Sequence, residues 1–102
     1  MKNSHKIATG DFYYHYKHNP EGEINNFAYG IIGTALHTET ENLFIIYKPL
    51  YQTEHKLFAR PHELFTGAVI LDDVEIPRFS QIFDPNVISK LKTISGVNNE
   101  MI

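Results

Sequence analysis

The residues whose types and spacing suit chemistry are His15, Lys17, His37, Glu39, Arg60 and Glu63. In an extended segment His37 and Glu39 share a face, so the carboxylate can orient the imidazole as a general base requires. That makes His37 and Glu39 a candidate catalytic pair for a small hydrolytic enzyme. Arg60 would hold an anion there, because a guanidinium fork matches carboxylate and phosphate. The competing reading leaves His37 and Glu39 in a solvated hairpin turn and pairs Arg60 with Glu63 or Glu39. Nucleophilic catalysis has little to work with: cysteine is absent, and Ser4, Ser80, Ser89 and Ser95 lack a nucleophile-elbow context. A metal needs about three convergent ligands. His15, His37 and Glu39 are the conceivable set, but no close His-x-His pair exists, so neither a metal site nor a cofactor is expected.

A second constellation is aromatic and basic. Tyr14, Tyr16, Tyr47 and Tyr51, with Lys17, Lys48 and Arg60, form the mix on which small barrels stack bases or aromatic ligands. The candidate binding set is therefore His15, Tyr16, Lys17, His37, Glu39, Tyr47 and Arg60. Phe12, Tyr29, Phe44, Phe58, Phe65 and Phe79 read as core, since a small domain needs large side chains to bury enough area. Arg78, after Pro77, reads as a brace to Glu75 or Asp73. The first hypothesis is a non-catalytic module that binds a ligand, peptide or nucleic-acid feature. The alternative is the hydrolytic enzyme.

The elements that must position these residues are mostly short strands. Residues 12–17 form an aromatic run of high strand propensity. Residues 27–37 alternate with apolar side chains on both faces, which marks a central strand, and Gly30 and Gly33 suggest a bend or bulge. Residues 43–48 and 56–60 are two more strands, stopped by Pro49 and Pro61. One helical turn follows at residues 62–65, then short strands at 69–71 and 75–82, the latter interrupted by Pro77. The period then changes. Asp84 suits an N-cap, Pro85 the first helical position and Gly96 the stop, with Val87, Ile88, Leu91 and Ile94 on one face.

The resulting expectation is a mainly all-β fold: a small SH3-like curved sheet or barrel of about five strands with one C-terminal α-helix. The domain spans residues 10–83, with an N-terminal arm at 1–9, the helix at 84–96 and a tail at 97–102. The helix is expected to cover an open end or edge of the barrel.

Composition narrows the function. The chain has 102 residues, a formal charge of −3 and no cysteine. An acidic balance disfavours general double-stranded nucleic-acid binding, which draws its affinity from neutralised phosphates. No apolar run resembles a signal peptide or a membrane span, so a cytoplasmic location is expected, with no membrane partner. The partner is an unknown ligand or protein, and the chain a monomer or homodimer.

Five motifs in order resemble a bacterial family, the domain of unknown function numbered 1653. They are Gly10-x-Phe12-Tyr13-x-His15-Tyr16-Lys17; Tyr29-Gly30-x-Ile32-x-x-Ala35-x-His37-x-Glu39-Thr40; Ile46-Tyr47-x-x-Leu50-Tyr51; Leu57-Phe58-Ala59-Arg60-Pro61-x-Glu63-x-Phe65; and Pro77-Arg78-Phe79. Two departures stand out: His18 and a longer loop through Asn26, and Leu71-Asp72-Asp73-Val74 where the family carries a Gly turn. The resemblance implies a small soluble cytoplasmic protein and brings no established activity.

Overall fold

Strands begin and end where the sequence punctuates them. The computed structural model describes residues 6–96. Among these, the chain forms seven strands and two helices: β1 (Phe12–His15), β2 (Ala28–Leu36), β3 (Leu43–Pro49), β4 (Phe58–Pro61), α1 (His62–Phe65), β5 (Ala68–Leu71), β6 (Val74–Pro77), β7 (Phe79–Gln81) and α2 (Pro85–Ser95). Pro49 and Pro61 close β3 and β4 because proline cannot donate to a continuing ladder.

Five strands pair antiparallel in the order β4-β3-β2-β1-β7, and β5 and β6 form a separate hairpin. Among the described residues β4 and β7 do not pair, so the sheet stays open and is not a closed barrel. Phe65 of α1 is buried against one face of this open sheet. It stacks on Phe79 of β7 at 4.0 Å and meets Tyr47 of β3 edge-on at 5.2 Å. The bulge expected in the central strand falls between Ile31 and Gly33, where the β2–β3 register slips past Ile32. Gly30 has a different task. It lies opposite Phe12, and a Cβ there would sit 3.3 Å from the Phe12 ring.

Because side chains alternate, the sheet has two faces with separate cores. One holds Tyr13, Tyr29, Ile31, Ile45, Tyr47, Phe65 and Phe79. The other holds Phe12, Ala28, Leu50 and Ile82, covered by Leu91 of α2 with Val87 and Ile88 beside it. Ile94, expected on the same helical face, stays exposed at the end of α2. Asp84 caps the helix by accepting from the Asn86 N–H at 2.9 Å, and Gly96 ends it in the left-handed region at φ 68°. Lys48 adds a cation at the negative end of α2, its Nζ donating to the Ser95 carbonyl at 3.0 Å.

The β5–β6 hairpin turns through Asp72 and Asp73, with φ of 53° and 67°. Positive φ at both central residues is the type I′ arrangement, here made without glycine. The segment expected as one strand across Pro77 is therefore two, β6 in this hairpin and β7 in the main sheet.

Residues 1–5 of the N-terminal arm expected at 1–9, and the whole of the tail expected at 97–102, lie outside the described residues. The described part of the arm is tied to β2. Ile7 packs against the first core, Thr9 Oγ1 donates to the Ile32 carbonyl at 3.0 Å, and the Gly10 N–H donates to the Ile31 carbonyl at 2.9 Å.

Candidate functional site

The first face carries most of the candidate residues. Strand pairing sets His15 opposite Phe79, and Arg60 opposite Ile45 beside Tyr47. Phe79 is the hub. The His15 ring meets it edge-on at 5.1 Å, the Tyr47 and Tyr29 rings lie at 5.6 and 5.8 Å, and the Arg60 guanidinium carbon lies 5.4 Å over it. That cation–π contact is worth about 0.5–1 kcal/mol or more as water is excluded. Arg60 Nε also donates to the Tyr47 hydroxyl at 3.2 Å, which aims the guanidinium. The Tyr29 and Tyr51 hydroxyls share a hydrogen bond of 2.6 Å. Phe27 completes the rim: its ring lies 5.8 Å from both His15 and Tyr51. It is 37% exposed and sits at φ 52°. A bulky side chain there is a backbone outlier of the kind that collects at binding sites.

The electrostatics are one-sided. Burial, then Arg60, Lys17 and Arg78, push the His15 imidazole down to about 4, so the ring is neutral at pH 7. Its Nδ1 accepts the backbone N–H of Lys17 at 3.2 Å. Burial, with Asp11 adding to it, raises the Tyr13 phenol to about 12. Burial and the bond to Tyr51 raise Tyr29 further. Among the described residues no carboxylate pairs with Arg60, Arg78 or Lys17. The ion pairs expected for Arg60 with Glu63 or Glu39, and for Arg78 with Glu75 or Asp73, do not form. Arg60 Nε is taken by Tyr47, and Arg78 Nε donates to the Leu64 carbonyl at 3.2 Å.

Of the candidate binding set, His15, Lys17, Tyr47 and Arg60 gather here. Tyr16 adjoins them, its ring 4.5 Å from His15 and its N–H donating to the Arg78 carbonyl at 2.9 Å. His37 and Glu39 do not join them. His15 donates its N–H to the Phe27 carbonyl beside the start of β2, whereas His37 follows the end of β2. At ~3.3 Å per residue the two histidines are about 30 Å apart along the strand. His37 Nδ1 accepts the N–H groups of Glu39 and Thr40, both at 3.3 Å, and its ring packs against Phe44. The imidazole thus caps its own turn, and among the described residues no carboxylate orients it. Among the described residues no three His, Asp or Glu side chains form a group able to hold a metal.

Tyr14 and Lys48, counted with the stacking residues, belong to the opposite face, where Tyr14 donates to the Ile24 carbonyl and Lys48 to Ser95. Phe12, Tyr29, Phe65 and Phe79 are buried as expected, but Tyr47, counted with the stacking residues, is buried as well. Tyr29 and Tyr47 are 5% and 3% exposed, while Phe83 is 72% exposed. The tyrosines can be buried because Tyr51 and Arg60 satisfy their hydroxyls. The residues missed as site members are Phe27, Arg78 and Phe79. No local signal marks Phe27, whose role rests on its backbone angle, or Phe79, which reaches His15 through strand pairing. A groove of about 540 Å³, lined in part by Lys48, His55, Lys56 and Ile94, meets this cluster only at Tyr51.

These features define a small mainly β protein, an open curved sheet with an aromatic–cationic cluster on one face and a C-terminal helix on the other. The family described as "Protein of unknown function (DUF1653)" matches residues 11–81, and the chain belongs to it. A DUF1653 protein of Bordetella bronchiseptica, known from a crystal structure, superposes with a TM-score of 0.59 at 23% identity. The match covers 74% of this chain and 87% of that one, and it shows a shared fold. No curated protein matches significantly. Among the described residues no helix is long and apolar enough to cross a membrane.

Proposed function

We propose that the chain is a non-catalytic binding module whose ligand seats on the aromatic–cationic cluster of Phe27, Tyr51, His15 and Arg60. The observation that carries this reading is the guanidinium of Arg60. It lies on Phe79, is aimed by Tyr47, and has no carboxylate partner among the described residues. A partly desolvated cation left without a counter-charge stands ready for an anion from outside. The strained, exposed Phe27 supplies an apolar wall beside it. The acidic balance and the cysteine-free composition suit a cytoplasmic protein, and we assign it there as part of the same reading.

The test is a thermal-shift screen of nucleotides, aromatic acids and short oligonucleotides against the native chain and Arg60→Gln. Ligand binding to the native state raises Tm by mass action. The expected result is a ligand that stabilises the native chain and loses most of that effect in Arg60→Gln. Equal stabilisation of both proteins would place the ligand elsewhere and overturn the reading.

A further inference from the structure

The charged groups that the cluster leaves without a counter-ion among the described residues are all cations. Arg60 has committed Nε to Tyr47, and its two terminal nitrogens have no partner among the described residues. Arg78 has committed only Nε, to Leu64, and the Lys17 ammonium is exposed. His15 decides the pattern. Because Nδ1 accepts the Lys17 N–H, the proton of the neutral ring resides on Nε2, which therefore donates. An imidazole of the other tautomer would present an acceptor instead. The walls are aromatic: Phe27, Tyr51 and the edge of Tyr16.

We infer that the site selects an acceptor-only oxyanion carried on a flat apolar body, such as an aromatic carboxylate or an aryl phosphate. This deepens the proposed function and rests on it. The end-on pair of Arg60 N–H groups matches two oxygens of either oxyanion in parallel. A neutral amide of the same shape offers one acceptor oxygen and no charge, so it forgoes the second, charge-assisted bond to the guanidinium. The isostere is disfavoured because it leaves one N–H of the partly buried Arg60 guanidinium unpaired. An aromatic amine is rejected more strongly, since its cationic form meets three cations.

The probes are benzoate, phenyl phosphate, benzamide and benzylamine, titrated into the native chain and followed by the NMR shifts of the His15 and Phe27 rings. Benzoate or phenyl phosphate is expected to bind at least about tenfold tighter than benzamide, in line with a lost charge-assisted hydrogen bond. The better of the two identifies the oxyanion. Benzamide binding as tightly as both acids overturns the selection while leaving the binding reading standing. If none of the four probes shifts the cluster resonances, both fall. A ligand-free measurement tests the His15 tautomer directly: long-range ¹H–¹⁵N correlation on the native chain is expected to show the proton on Nε2. The Nδ1–H tautomer overturns the inference.

Discussion

The low pKa of His15 makes a prediction whose sign and size can be worked through. In the unfolded chain the ring titrates near its ordinary ~6.5. In the folded chain burial and then Arg60, Lys17 and Arg78 hold it at about 4. Below pH 6.5 the unfolded state takes up a proton that the folded state refuses, so stability falls as pH falls through that window. The contribution is whole above about pH 6.5 and lost progressively towards pH 4. At ~1.4 kcal/mol per pH unit the ceiling is about 3.4 kcal/mol. Solvent screening of a half-exposed ring reduces this to about 1–2 kcal/mol. The assay is urea unfolding of the native chain and His15→Gln at pH 7.5 and 4.5. The other histidines contribute equally to both proteins and cancel. The stability difference between the two should shift by about 1–2 kcal/mol, with the native chain losing more at the acid end. NMR titration should place the His15 midpoint near 4 and move it up in Arg60→Gln, which removes one of the repelling cations. A midpoint between 6 and 6.5, or a stability difference that ignores pH, would refute the placement of His15 among three unpaired cations.

Two further outcomes concern the fold. Leu91→Ala removes a fully buried side chain from the centre of the α2 contact, and should cost about 2–5 kcal/mol in urea unfolding. A loss under about 1 kcal/mol would mean that α2 does not seal that face. Asp73→Gly puts glycine at a left-handed position of the I′ turn, and should stabilise the hairpin by about 0.5–1 kcal/mol, read as slower hydrogen exchange at Leu71 and Val74. Faster exchange there would contradict the turn type.

How much of this was legible depends on the range of the interaction that decides each element. The caps of α2 are local, and Asp84, Pro85 and Gly96 announced them within a dozen residues. Pro49 and Pro61 likewise marked the ends of β3 and β4, and Gly33 the bulge. The β5–β6 hairpin was obscured because Asp72 and Asp73 take positive φ without the glycine that usually advertises it. His37 and Glu39 misled for a related reason. Two-residue spacing puts side chains on one face only while the chain stays extended, and β2 ends at Leu36. The site itself depends on β7 returning to pair with β1, which brings Phe79 to His15. No window of sequence contains both.

The two faces of the sheet also divide along the chain. Every residue of the cluster lies within residues 11–81, the span that the family shares, whereas α2 lies beyond it. The helix seals Phe12, Ala28, Leu50 and Ile82 on the far face, a task that apolar bulk satisfies and that constrains no polar geometry. The near face is built differently. Tyr47 fixes Arg60, a backbone N–H fixes the His15 tautomer, and Phe79 carries both rings and cation. Arg60 gains the Tyr47 hydrogen bond and the Phe79 contact, but a partly buried charge without a counter-ion still costs stability. On the proposed function, an arriving anion would recover that cost.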